Sequence, residues 1–132
     1  MSGGSFDEWV ERAEADFRAA VALDPGDVPG VVCFLCQQCI EKHLKAALAR
    51  HGIPTRKTHD LVVLIGLLEP EDPRFREVIG PARYLSAFAV EARYPGSEVD
   101  AGQATEAVEI MRDLRGEIRR FLNLEADPGA GV

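Results

Sequence analysis

The sequence has few cysteines and no long apolar run, and both shortages exclude classes of protein. Three cysteines cannot all pair within one chain, and they lie close together at positions 33, 36 and 39. This pattern favours reduced thiols in the cytoplasm over the disulfide framework of a secreted domain. The longest nearly uncharged apolar stretches have about ten residues, whereas a membrane-spanning helix needs about 20. We therefore expect a cytoplasmic protein with no membrane span.

The motifs of standard enzyme classes are also missing. The chain contains no P-loop, no GxGxxG turn, no HExxH zinc pair and no GxSxG nucleophile motif. The cysteines suggest an iron–sulfur cluster at first sight, but a cluster needs a fourth ligand and an irregular backbone around it. On a helix, cysteine behaves as a small apolar residue. We therefore predict no metal and no cofactor, and we assign Cys33, Cys36 and Cys39 to the core.

Positive charge is scarce overall but is concentrated in one stretch. The chain has 22 acidic and 15 basic residues, a formal net charge of −7. This balance argues against a protein whose whole surface binds nucleic acid, because such binding requires neutralised phosphates. Residues 28–60 alone carry two acidic and five basic side chains. The sequence therefore predicts a local basic site on an acidic protein.

Apolar residues recur at helical spacing along almost the whole chain, and no strand-like alternation competes with this pattern. The length of 132 residues fits one domain. We predict an all-α fold, a five-helix antiparallel up-and-down bundle over residues 1–124, followed by a disordered tail over 125–132. The expected boundaries come from capping and turn residues. The first helix starts with a Ser5–Glu8 capping box and ends near Leu23, the second runs from Val28 or Val31 to His51, and the third starts around Thr58. The fourth starts at Asp72–Pro73, is interrupted at Gly80–Pro81 and ends at Tyr94–Pro95–Gly96, and the fifth starts at Asp100, with Gln103 three residues on.

The second predicted helix has the widest apolar arc and should be the central one. His43 lies within that arc, so a core histidine satisfied by one hydrogen bond is a simpler interpretation than a catalytic one. A polar edge of the same helix carries Gln37, Gln38, Glu41, Lys42 and Lys45. This edge is either a solvated face with a Glu41–Lys45 pair four residues apart or a row of groups that face a ligand.

The loop between the second and third helices is basic and ends at a predicted helix N-terminus. Unpaired backbone N–H groups and the helix dipole favour an anion at such a position. Arg56, Lys57 and His59, with neighbouring threonine hydroxyls, could complete a phosphate site. The alternative is that Thr58 caps the helix and the cations are only solvated.

Four sequence elements together resemble the HEPN domain family, over roughly residues 6 to 122. They are Ala13-x-x-Asp16-Phe17-x-x-Ala20, Gln37-Gln38-x-x-Glu41-Lys42-x-x-Lys45-Ala46, Thr58-His59-Asp60-Leu61 and Ala92-Arg93-Tyr94-Pro95-Gly96. The resemblance implies a five-helix bundle that is usually dimeric. It also implies a nucleotide ligand and a minimal nucleotidyltransferase partner, in pairs of which many act as toxin and antitoxin. The polar positions that match the family's proposed nucleotide contacts are Gln37, Gln38, Glu41, Lys42, Lys45, His59, Arg93 and Tyr94.

One departure from the family pattern concerns catalysis. The ribonuclease branch uses an arginine and a histidine separated by four to six residues, whereas His43, His51 and His59 have no arginine at that spacing before them. Lys45 precedes His51 at such a spacing, but lysine lacks the planar guanidinium fork. We therefore favour a binding module without its own chemistry. The alternatives are a metal-independent ribonuclease with a non-standard histidine–arginine pair, and a purely structural dimerisation domain.

Overall fold

The computed structural model describes residues 4–91 and 98–124, and within these ranges it contains helices and no strand. The α-helices are α1 (Phe6–Ala22), α2 (Pro29–Arg50), α3 (Leu61–Leu68), α4 (Ile79–Ser86), α5 (Phe88–Glu91) and α6 (Ala101–Phe121), with a 3₁₀ helix (Pro73–Val78) before α4. The 3₁₀ helix, α4 and α5 together correspond to the interrupted fourth helix of the sequence prediction. The predicted all-α, five-helix fold is thereby confirmed. The predicted tail over 125–132 lies outside the described residues.

Capping boxes are present at both predicted positions. At the start of α1, the Ser5 hydroxyl accepts a hydrogen bond from the Glu8 amide, and the Glu8 carboxylate accepts one from the Ser5 amide. Asp100 and Gln103 make the same reciprocal pair at the start of α6. Each box satisfies backbone donors that a helix N-terminus otherwise leaves unpaired. These two boundaries were therefore readable from local sequence.

The helix α3 begins at Leu61, later than the predicted start around Thr58. Its cap is Asp60, whose carboxylate accepts hydrogen bonds from the amides of Val62 and Val63. The Thr58 hydroxyl instead accepts a hydrogen bond from the Asp60 amide. The interpretation of Thr58 as the cap is therefore wrong, because the carboxylate two residues later occupies the capping position.

The fourth helical unit is interrupted as predicted. Asp72 caps its start through the Arg74 amide, and Pro73 occupies the first helical position. The backbone is 3₁₀ up to Val78 and becomes α-helical at Ile79. Pro81 thus lies in the first turn of α4, where its missing N–H breaks no helical hydrogen bond. The predicted end at Tyr94–Pro95–Gly96 lies outside the described residues.

The helix α2 is the centre of the bundle and packs against α1 and α6 along much of its length, with α3, α4 and α5 on its remaining sides. Cys33, Cys36 and Cys39 are fully buried on it, which confirms their assignment to the core. Burial raises the pKa of the Cys33 thiol to about 11 and that of Cys36 to about 12. These thiols are consequently neutral, inert packing groups.

The carboxyl end of α2 meets the beginning of α1 and the end of α6. The Arg50 guanidinium lies 3.9 Å above the Phe6 ring and donates a hydrogen bond to the Leu122 carbonyl at 3.0 Å. One side chain therefore ties three helices together, with α1 antiparallel to α2. None of the described helices combines the length and the apolar character that a bilayer span requires.

Candidate functional site

The loop that connects α2 to α3 doubles back along α2. The Gln37 side-chain amide donates a hydrogen bond to the His59 carbonyl at 2.8 Å. Gln37 precedes the end of α2 at Arg50 by 13 residues, a helical distance of about 20 Å. The loop over residues 51–60 therefore returns from the end of α2 to its middle. This return brings the basic loop and the polar edge of α2 together.

The Glu41 carboxylate is the point at which these two parts meet. Its Oε1 atom accepts hydrogen bonds from His59 Nδ1 at 2.9 Å, Gln37 Nε2 at 3.2 Å and Gln38 Nε2 at 3.3 Å. Its Oε2 atom accepts one from Lys45 Nζ at 3.0 Å. Glu41 is only 3% exposed. Both carboxylate oxygens are therefore engaged by protein donors, and the carboxylate fastens the loop to α2.

The surroundings of Glu41 keep its carboxylate ionised. Burial by itself acts to raise the pKa, but the hydrogen bonds from His59, Lys45 and Gln37 outweigh it, and the pKa lies below its usual value. An ionised carboxylate can only accept hydrogen bonds. The proton in the His59–Glu41 contact therefore belongs to Nδ1 of the imidazole.

His59 presents its other ring nitrogen away from this network. The side chain is half exposed, with 50% of its surface accessible to solvent. Because Nδ1 is engaged with Glu41, Nε2 is the atom that a ligand can reach. In the neutral ring Nε2 accepts a hydrogen bond, and in the charged ring it donates one.

The indole of Trp9 on α1 borders the same region. Lys45 Nζ lies 5.5 Å from the centroid of the Trp9 ring, and the Arg12 guanidinium lies 6.0 Å from it. Cations at these distances are attracted to the face of an indole. The ring thus helps to hold Lys45 beside Glu41, and it adds an aromatic surface that the sequence analysis did not include in the site.

Lys42 belongs to a different contact. Its ammonium group forms a 2.6 Å ion pair with Asp16 on α1, and both side chains are mostly buried. The predicted polar edge of α2 therefore divides in two. Gln37, Gln38, Glu41 and Lys45 contact one another and the loop, whereas Lys42 fastens α2 to α1.

Arg56 and Lys57 are exposed on the loop that Glu41 anchors. Among the described residues, no ion pair involves either of them. The residues just before them, Gly52 to Thr55, line a cleft of about 420 Å³ together with Phe6 and its neighbours. In sequence, the two cations therefore lie between Thr55, which lines this cleft, and His59. The remaining predicted site residues, Arg93 and Tyr94, lie outside the described residues.

A second charged cluster, which sequence reasoning missed, lies on another flank of α1. The Glu14 carboxylate accepts hydrogen bonds from Arg115 on α6, with Nε at 2.8 Å, and from His43 Nε2 at 3.1 Å. Arg119 lies 3.4 Å away. Burial acts to raise the pKa of Glu14, but the bonds from His43 and Arg115 dominate and hold it well below its usual value.

His43 is a core histidine with three polar contacts instead of the one that was expected: the Cys39 carbonyl, the Cys39 Sγ atom and the Glu14 carboxylate. It is fully buried, and its Nδ1 lies 2.9 Å from the Cys39 carbonyl while Nε2 faces Glu14. The ring therefore links α2 to α1 and, through Glu14, to α6. No ligand can reach it in this arrangement. Among the described residues, no group of three or more histidine, cysteine or acidic side chains could hold a metal ion.

Comparison with known proteins identifies the fold and the family together. The family model described as the HEPN domain matches residues 6–121 of the chain. The chain belongs to the HEPN domain family. No curated protein matches this HEPN domain.

Two solved structures share the architecture of this HEPN domain. TT1696 from Thermus thermophilus aligns with a TM-score of 0.74 at 24% identity, over 87% of this chain and 96% of that one. ST0689, an archaeal HEPN homologue, aligns with a TM-score of 0.72 at 23% identity, over 91% of this chain and 99% of that one. At these identities the likeness establishes the common fold.

Proposed function

We propose that this HEPN domain is a nucleotide-binding module, which acts as a homodimer beside a minimal nucleotidyltransferase and has no ribonuclease activity of its own. The observation that carries the proposal is the anchored loop. Gln37 and Glu41 fasten it to α2, while Arg56 and Lys57 stay exposed and His59 stays half exposed. A preorganised loop with three such side chains suits a phosphate-bearing ligand.

Charge supports an anionic ligand at this loop. The chain as a whole carries a formal charge of −7, so most of its surface repels nucleotides. Lys42 and Lys45 are neutralised by Asp16 and Glu41. Arg56 and Lys57 are the cations that this loop offers without a described ion pair, and they are the ones that we assign to phosphate groups.

Isothermal titration calorimetry with ATP tests the proposal. We expect saturable binding that weakens as salt concentration rises and that falls at least tenfold in the Arg56→Ala/Lys57→Ala variant. The matched control is Arg18→Ala/Arg83→Ala, which removes two exposed arginines elsewhere and should leave binding unchanged. Absence of heat from wild-type protein at millimolar ATP contradicts the nucleotide proposal and leaves the two alternatives, a metal-independent ribonuclease and a purely structural dimerisation domain.

The partner and the assembly rest on family membership and need their own experiments. Co-expression with the product of the neighbouring gene, followed by affinity purification, tests whether a small nucleotidyltransferase binds this chain. Sedimentation velocity at micromolar concentration tests the homodimer. A monomer that co-purifies with nothing contradicts this part of the proposal without affecting the nucleotide site.

A metal-independent ribonuclease is the second candidate, and the Glu41–His59 contact favours it. A carboxylate that holds one ring nitrogen leaves the other free to act as a general base. Against it stands the absence of an arginine at the spacing that the ribonuclease branch uses. Incubation of transfer RNA with wild-type protein, His51→Ala and His59→Ala tests for ribonuclease activity. Intact RNA in all three samples excludes the ribonuclease candidate.

A further inference from the structure

The Glu41 network determines which hydrogen-bonding role His59 can offer to a ligand. Glu41 Oε1 and His59 Nδ1 are 2.9 Å apart, and the same oxygen holds Gln37 and Gln38. The His59 carbonyl is held separately by Gln37. The backbone and the ring of His59 are thus both held in place. The ring cannot rotate to bring Nε2 to the position of Nδ1 without losing the contact with Glu41.

We infer that Glu41 is a positioning residue and that His59 Nε2 accepts a hydrogen bond from a ribose hydroxyl of the bound nucleotide. This inference rests on the proposed nucleotide-binding function. With Nδ1 protonated toward Glu41, the neutral ring can only accept at Nε2. An acceptor does not suit a phosphate oxygen, which also accepts. Nε2 as an acceptor needs a hydrogen-bond donor on the ligand, and a ribose hydroxyl is such a donor.

The position of His59 in the loop favours the sugar over the base as the source of this donor. Arg56 and Lys57, which we assign to the phosphates, precede His59 by only two or three residues. In a nucleotide, the group bonded directly to the phosphate is the ribose. A side chain so close to the phosphate-binding pair therefore meets the sugar hydroxyls first.

Glu41 itself takes no part in ligand contact. Its two oxygens already accept from four side chains, and it is 3% exposed. Its role is to orient His59 and to hold Lys45. Replacement by alanine removes the acceptor from His59 Nδ1, so the ring is no longer held with its proton on that nitrogen.

Calorimetry with ATP and with 2′,3′-dideoxyATP tests the inference. Wild-type protein should bind ATP about three- to tenfold more tightly, the value of one net hydrogen bond. His59→Ala should bind both nucleotides equally, and Glu41→Ala should also lose the preference while binding both nucleotides more weakly than wild type, because the loop loses one of its anchors. Equal binding of both nucleotides to wild type overturns the inference and leaves the proposed function standing, whereas no binding of either overturns both.

A second measurement needs no variant, which guards against misfolding of Glu41→Ala. Long-range ¹H–¹⁵N spectra at about pH 8.5, where an ordinary histidine with a pKa of about 6.5 is neutral, report the tautomer of each ring. We expect His59 to carry its proton on Nδ1. A proton on Nε2 overturns the inference even if nucleotides bind.

Discussion

Two carboxylates with little solvent exposure organise the charged contacts around α1. Glu41 holds the loop and Lys45 on one flank, and Glu14 holds His43 and Arg115 on another. Each carboxylate accepts hydrogen bonds from side chains of at least two other residues, so its removal deprives those side chains of an acceptor. Removal of such a residue is destabilising, because it takes away an acceptor that several buried or half-buried groups share.

Glu14→Ala should lower the free energy of unfolding by about 3 kcal/mol. The change leaves the Arg115 guanidinium and the buried His43 ring without their shared acceptor. Urea denaturation measures the loss. Glu11→Ala, an exposed glutamate on the same helix, is the matched control and should change stability by less than about 0.5 kcal/mol. Equal effects for the two variants contradict the assigned role of the cluster.

Acid should destabilise the domain through the same two carboxylates. In the folded state the pKa values of Glu14 and Glu41 lie below the ordinary 4.5. Their contribution to stability is therefore fully present above about pH 4.5 and is lost as pH falls through the folded-state values. Urea midpoints measured from neutral pH down to about pH 3 check this. The fall should be smaller in Glu14→Gln, and an unchanged fall refutes the assignment.

The three cysteines should be unreactive in the folded protein. Cys33, Cys36 and Cys39 are fully buried, and burial raises the pKa of all three thiols. Titration with a disulfide reagent at about pH 8 should therefore detect almost no thiol in native protein and all three in denaturant. Rapid native labelling of any of them shows that this part of the core is open.

At the scale of elements, the loop over residues 51–60 is fastened to the middle of α2 by Gln37 and Glu41. Gln37→Leu removes the hydrogen bond to the His59 carbonyl, and we expect a loss of about 1–3 kcal/mol in stability. Hydrogen exchange should become faster in residues 56–60. Gln38→Ala, next to it on α2 and only half-buried, should have a smaller effect on both measurements. Unchanged exchange in Gln37→Leu means that Gln37 does not anchor the loop.

A pair of variants at the N-terminus of α3 tests whether Asp60 or Thr58 caps the helix. Asp60→Ala should cost about 1 kcal/mol, the usual value of an N-cap side chain. Thr58→Ala should cost less, because the Thr58 hydroxyl bonds only the Asp60 amide. Thermal unfolding of the two variants measures both. A larger loss for Thr58→Ala restores Thr58 as the capping residue.

Sequence reasoning succeeded where the signal is local. Capping boxes lie within four residues, and the core face of α2 follows from its apolar spacing, so both were predicted and are present. The pair Glu14–Arg115 joins positions 101 residues apart, and no spacing in a single sequence relates them. The return of the loop to Gln37 could not be predicted for the same reason. The family resemblance had named Gln37, Glu41 and His59 as candidate site residues, but not their contacts with one another.

At the scale of the whole molecule, an acidic protein carries one basic loop. The described contacts separate the predicted site residues into those that build the loop's anchor, Gln37, Gln38, Glu41 and Lys45, and those that the loop exposes, Arg56, Lys57 and His59. Lys42 serves the interface between α1 and α2. The proposed function therefore depends on whether an anion binds at this loop.

Titration of ¹⁵N-labelled protein with ATP, followed by ¹H–¹⁵N correlation spectra, locates any bound nucleotide directly. We predict saturable shifts concentrated in residues 54–60 and in the neighbouring part of α2 around Gln38. Shifts on the exposed face of α6 should be small. Shifts centred on a different part of the fold, or none at millimolar ATP, contradict the assignment of the site.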